Sequence, residues 1–170
     1  GNWLISSESV ENYLKAIYEL SETQAPVTTG AIADRLGVAA PSVSAMLKRL
    51  SEQRTPLVDY TPHRGVELAP RGRARALRIV RRHRLVETFL CKVLGYAWDE
   101  VHEEAERLEH HISDLMEARI AEHLGHPEVD PHGAPIPTPD GDVPPSGAVP
   151  LSDVAEGIAA QVRRIRHDDG

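Results

Sequence analysis

The chain has 170 residues and a net charge of −7 at pH 7, and its single cysteine, Cys91, excludes an internal disulfide framework and suits a reducing cytoplasm. No apolar run is long enough to span a bilayer and no signal-peptide pattern stands at the start, so no membrane partner is expected. The charge is uneven: residues 1–84 hold 13 Lys and Arg against 8 Asp and Glu, residues 85–170 hold 6 against 18, and the balances of +5 and −12 make up the −7. That asymmetry points to a first half able to meet nucleic acid and a second half able to handle cations.

Val10, Leu14, Ile17 and Leu20 share one helical face, with Tyr13 and Ala16 alongside. After a break at Pro26, Thr28 or Thr29 can cap a short helix through Leu36 that Gly37 closes. Pro41 suits the first turn of the next helix, whose apolar positions are Val43, Met46, Leu47 and Leu50. Two short helices around a Gly-containing turn form the helix-turn-helix pattern. Residues 57–61 and 66–68 read as two short strands around the turn 62–65, which is a wing. Seven arginines between Arg71 and Arg84 are a solvated basic face, phosphate contacts, or a mixture of the two.

Pro70 opens a long helix ending near Gly95, and Cys91 falls on its apolar side, where packing is its expected role. A Glu-rich helix follows, and Ser113 can cap another that runs to about Gly125. Pro127 to Pro150 holds eight prolines and reads as an irregular linker, and the terminal residues 162–165 read as one strand.

The Glu-rich helix carries the chemistry. At about 100° per residue, His102, Glu106, Glu109 and His110 fall within about 100° of arc, beside an apolar stripe of Val101, Ala105, Leu108 and Ile112. On the preceding helix His83 and Glu87 are an i, i+4 pair and share a face. Imidazoles and carboxylates at the edge of a buried face are costly without a partner, and a divalent cation is the simplest one. Glu103, Glu104 and His111 read as a solvated face.

The order and spacing of several segments resemble the diphtheria toxin repressor family of iron- and manganese-dependent transcriptional regulators. They are residues 11–14, the turn 40–44, residues 82–85, 98–102, 106–110 and 131–137. The resemblance implies a mainly α fold. A winged helix-turn-helix DNA-binding domain (1–75) would precede an all-α metal-binding and dimerisation domain (76–140). Residues 141–170 would be a Pro-rich linker and the start of a truncated SH3-like domain, its first strand at 162–165. It further implies two metal sites. The regulatory one would use Asn12, Glu106, Glu109 and His110, and the ancillary one His83, Glu87 and His102.

Iron-responsive members carry methionine and cysteine where this chain has Asn12 and Glu106, so hard oxygen donors replace sulfur and Mn²⁺ is favoured over Fe²⁺. Fe²⁺ and Co²⁺ are the alternatives, with Zn²⁺ or Cd²⁺ as substitutes in vitro. Lys15 stands where the small manganese regulators place a carboxylate, so their paired-metal geometry is not expected at that position.

On double-stranded DNA, the resemblance makes Pro41, Ser42 and Ser44 the base-reading contacts, with Ala45 where relatives often carry glutamine. Thr28 and Thr29 could reach phosphates from a helix start, while Lys48, Arg49 and Arg64 are phosphate contacts or plain surface. A homodimer would bind a pseudo-palindrome, with Leu85, Phe89 and Leu90 serving either its interface or the domain's own core. Two other readings remain. One is a winged-helix regulator sensing an organic ligand; the other is a zinc-dependent hydrolase, since Glu106-x-x-Glu109-His110 is one substitution from the inverted zinc-peptidase pattern.

Overall fold

A computed structural model describes residues 6–145, 154–157 and 159–165. Its elements run α1 (Ser7–Ser21), α2 (Thr29–Leu36), α3 (Ala40–Ser51), β1 (Val58–Thr61), β2 (Gly65–Leu68), α4 (Pro70–Leu94), α5 (Val101–Leu108) and α6 (Asp114–His123). The chain divides into two compact units, 1–79 and 80–170.

The first unit is a winged helix-turn-helix. Ser6 caps α1 and Thr28 caps α2, each side chain accepting from a backbone N–H three residues on, an arrangement worth about 1 kcal/mol per cap. Gly37 ends α2 in the left-handed conformation at φ 64°, where a Cβ would be strained. Its core joins Leu14 and Ile17 of α1, Ile32 of α2, Val43, Leu47 and Leu50 of α3, and Val58 and Val66 of the hairpin. Leu20 and Met46 are only half-buried. β1 and β2 pair antiparallel from Val58↔Leu68 to Thr61↔Gly65, and Val27 bridges to Val66, which ties the segment before α2 to the wing.

In the second unit α4 presents two apolar flanks. One packs Val86 and Leu90 with Val101, Ala105 and Ile112, and half-buried Cys91 lies against this cluster, as its sequence position suggested. The other packs Leu85 with Ile120, Ala121 and Ile136, with Phe89 and Leu124 alongside. Leu85 and Leu90 therefore belong to the unit's own core, while Phe89 borders a groove of about 530 Å³ with Met116, Ile120 and His123. Ser113 caps α6 by accepting from Met116 N.

Three sequence expectations are corrected. Leu108, the last residue of α5, does not join the buried stripe but is 37% exposed. Residues 127–137 are irregular, as expected, but they pack onto the helical unit rather than forming a linker. Ile136 and Ala134 are buried, Val129 bridges to Pro135, and the guanidinium groups of Arg81 and Arg84 donate to the carbonyls of Pro137 and Pro135. Those prolines supply carbonyl acceptors and no competing N–H, so an irregular segment packs with its polar groups met. Residues 162–165 form no strand: the segment has no strand neighbour among the described residues, and Ile165 N donates to His132 O. The SH3-like start expected over 141–170 has no helix or strand among its described residues, and residues 166–170 lie outside them.

Candidate metal centre

His83 and Glu87 stand one helical turn apart on α4, both buried. α5 brings His102 to them. His83 Nε2 lies 2.6 Å from Glu87 Oε1 and 3.2 Å from His102 Nδ1, and His102 Nδ1 lies 3.1 Å from the same carboxylate oxygen. An octahedral shell with bonds near 2.1 Å puts neighbouring ligands about 3 Å apart, so three nitrogen and oxygen donors at these separations fit one divalent cation.

The other nitrogen of each ring is also engaged. His83 Nδ1 hydrogen-bonds Glu109 Oε2, and His102 Nε2 lies 3.2 Å from Glu106 Oε1. Glu109 is fully buried in the turn that follows α5, where its N–H still donates to Ala105 O, and its Oε1 lies 3.3 Å from His110 Nε2. The structure thus places the side chains of the neighbours Glu109 and His110 together. It also sets Glu106 against His102 one turn earlier on α5, as helical spacing allows, and Glu109 against His83 of α4, which spacing did not show. Asn12 is half-buried on α1 in the first unit.

Burial pushes the Glu87 carboxyl up, but hydrogen bonds with His102 and His83 outweigh it and hold the group well below the usual carboxylate range. Hydrogen bonds with Glu106 and Glu87 push His102 up to about 10 against the opposing effect of burial.

Two polar residues that spacing did not single out complete the neighbourhood. Buried Asp130 and half-buried His132 come from the 127–137 segment, and His132 Nδ1 lies 3.3 Å from Glu87 Oε2. Asp130, His132 and Glu87 offer ligand atoms within 4.8 Å of one another, as do His83, Glu87 and His102. His132 had a sequence signal only in its place within the 131–137 segment, which carried no assigned role, and Asp130, just before that segment, had none.

In the first unit Pro41, Ser42, Ala45, Lys48 and Arg49 are exposed on α3, Ser44 is half-buried, and Arg64 is exposed at the wing tip. Thr28 is exposed and serves as the α2 cap, while Thr29 is half-buried in the first helical turn. Lys48 Nζ stands 3.9 Å from Glu52 Oε1. No helix among the described residues is long and apolar enough to cross a membrane.

A winged helix-turn-helix and a helical unit with a buried His–carboxylate pocket define a class, the metal-dependent transcriptional regulators. Residues 6–66 match the family described as the iron dependent repressor N-terminal DNA binding domain, and residues 69–138 match the iron dependent repressor metal binding and dimerisation domain. The iron-dependent repressor IdeR of Mycobacterium leprae is 35% identical over 167 residues, covering 93% of this chain and 72% of that protein. The diphtheria toxin repressor of Corynebacterium efficiens is 36% identical over 164 residues, covering 94% and 70%. A solved manganese-dependent transcriptional repressor in complex with manganese superposes with a TM-score of 0.85 at 47% identity, covering 92% of this chain and 72% of that one. The chain belongs to the iron-dependent (diphtheria toxin) repressor family of metal-dependent transcriptional repressors. That family is not enzymatic, which removes the hydrolase reading.

Proposed function

We propose that this repressor is activated by Mn²⁺ and binds a pseudo-palindromic operator as a homodimer. The observation that carries the choice of ion is the donor set: the cluster of buried His83 and Glu87 with half-buried His102 offers imidazole and carboxylate only. The regulatory positions Asn12, Glu106, Glu109 and His110 likewise lack sulfur, and such sites suit Mn²⁺ better than softer ions. Fe²⁺ and Co²⁺ are the next candidates, with Zn²⁺ or Cd²⁺ as substitutes in vitro. The similarity to a solved manganese-dependent repressor supports the same choice.

His83, Glu87 and His102 would hold an ancillary ion, and Asn12, Glu106, Glu109 and His110 a regulatory one. A bound ion supplies a positive centre that neutralises the buried carboxylates. Shared ligation of one ion by Asn12, Glu106, Glu109 and His110 would couple metal binding to DNA binding. A coupling of about 1–3 kcal/mol, roughly 5- to 150-fold in DNA affinity, is ordinary for such linkage.

On DNA, α3 enters the major groove with Pro41, Ser42 and Ser44 toward the bases, while Thr28, Thr29, Lys48, Arg49 and Arg64 meet phosphates. The second copy packs on the side of the helical unit where Phe89 and exposed Leu115 and Met116 lie.

The test is duplex binding, on sequences selected from a random pool, with and without Mn²⁺ for the wild type and His110→Ala. The wild type binds only with the ion, and His110→Ala loses that dependence along with its affinity. Mn²⁺-dependent binding retained by His110→Ala overturns the regulatory assignment.

A further inference from the structure

We propose that His63, at the apex of the wing, is a further specificity-determining DNA contact that enters the minor groove beside Arg64 and favours A·T pairs there. This contact rests on the reading above that α3 lies in the major groove, and it adds a second groove to what the first unit reads.

The turn at the wing tip is built around His63. Thr61 O accepts from Arg64 N at 3.0 Å, which places Pro62 and His63 at the centre of a β-turn. Proline fixes the first central residue. His63 takes the second at φ 67°, the left-handed position that a type II turn ordinarily gives to glycine or asparagine. A residue with a bulky side chain is strained there. His63 is exposed, and among the described residues its side chain meets no hydrogen-bond, ion-pair or ring partner that would offset the strain. Arg64 beside it is exposed and unpartnered in the same sense.

The apex is held in place. Val27 and Val66 exchange two backbone hydrogen bonds of 2.9 Å, so the segment before α2 extends the hairpin. Gly65 permits that approach, since a Cβ there would lie 2.6 Å from Val27 O. Leu57 N donates to Leu50 O at 3.1 Å, which ties the foot of β1 to the end of α3. The wing tip therefore keeps a fixed relation to the recognition helix, and a preorganised contact loses little freedom on binding.

Charge is sorted along the hairpin. Asp59 and Glu67 are partners in the β1–β2 register and both are exposed, so two carboxylates stand side by side on the outer face of the strands. Like charges placed opposite each other weaken a sheet, and here they also repel phosphates from the shaft of the wing. Beyond them, at the tip, stand the donors His63 and Arg64, so DNA is admitted apex first. With α3 in the major groove, the adjoining groove is the minor one, whose narrow A·T tracts attract arginine and histidine side chains. Imidazole carries an N–H donor in either protonation state, which suits adenine N3 and thymine O2, whereas the guanine amino group obstructs the same place.

The experiment measures binding of the full chain, with Mn²⁺, to a duplex that the wild type selects from a random pool and to the same duplex with 2,6-diaminopurine in place of adenine. That base adds an amino group in the minor groove and leaves the major-groove pattern unchanged. His63→Gly suits the left-handed turn, so the hairpin keeps its form, with a melting temperature no lower than that of the wild type, while the imidazole is lost. The wild type should bind the diaminopurine duplex weaker by about fivefold or more. His63→Gly should bind the adenine duplex weaker by a similar factor, lose little more on diaminopurine, and keep its Mn²⁺ dependence. A wild type indifferent to diaminopurine, or a His63→Gly variant that binds as the wild type does on both duplexes, overturns the contact and leaves His63 a residue of the turn alone. A wild type that is sensitive to diaminopurine but binds equally without Mn²⁺ overturns the switch proposed above and leaves the contact of His63 standing.

Discussion

The imidazole of His132 stands 3.3 Å from Glu87 Oε2, the oxygen on the opposite side of the carboxylate from His83 and His102. The same ring packs edge-on against Trp98, with centroids 5.7 Å apart. A paramagnetic ion held by Glu87 would therefore lie near an indole. Mn²⁺ should quench the Trp98 emission, and Glu87→Gln should remove most of that quenching. Quenching that is unchanged in Glu87→Gln would place the ion elsewhere.

The metal-free protein should be most stable in mildly acidic solution. Glu87, held below its ordinary value of 4.5, stabilises the fold above that pH, and the contribution is lost as the solution becomes more acidic. His102, raised from 6.5 to about 10, stabilises it below 6.5, and that contribution fades as pH rises toward 10. Both are complete only between about 4.5 and 6.5. Ligation needs neutral imidazole, so added Mn²⁺ should move the optimum upward. Melting temperatures across pH 4–10, with chelator and with Mn²⁺, check both statements, and His102→Ala should flatten the alkaline limb of the chelated profile.

Gly133 has φ 82°, and a Cβ there would lie 1.5 Å from the carbonyl oxygen of Arg163, so the segment ending at Ile165 rests against bare backbone. Gly133→Ala should displace that segment, with a cost of about 1–2 kcal/mol for the left-handed conformation itself. Faster tryptic cleavage after Arg163 and Arg164 would report the displacement. Cleavage at the wild-type rate would show that the contact does not hold the segment.

Sulfur at the regulatory positions should change the preferred ion. The double substitution Asn12→Met and Glu106→Cys replaces hard donors by soft ones, so the order of activation should move from Mn²⁺ toward Fe²⁺, Co²⁺ and Ni²⁺ by about tenfold or more. Competition titrations read through DNA binding measure the ratio. An unchanged ratio would mean that these two positions do not set metal choice.

Ala45 is exposed on the recognition helix and carries no hydrogen-bonding group. Ala45→Gln should introduce a preference for adenine at one position of each half-site, worth about 1–3 kcal/mol, without altering Mn²⁺ dependence. Selected sequences compared between the two proteins would show the new preference. Identical selections would place residue 45 away from the base edges.

The local architecture was legible in the residues themselves. Thr28 and Ser113 cap where they were expected to, Gly37 and Pro70 bound their helices as expected, and the i, i+4 spacing of His83 and Glu87 does put both on one inward face. These features follow from covalent geometry over a few residues, which a helix repeats without reference to the rest of the molecule.

Contacts across irregular backbone were decided only by the folded chain. Proline content alone makes residues 127–150 look like a tether, yet burial of Ile136 and the carbonyl bonds to Arg81 and Arg84 fold the first part onto α4 and deliver Asp130 and His132 to Glu87. Glu109 likewise gained its partner His83 from another helix, and Leu85 and Leu90 went to the interior while Leu108 stayed outside. The periodicity of a helix fixes which side chains share a direction. What they meet there depends on how distant segments pack, and that is a property of the whole fold.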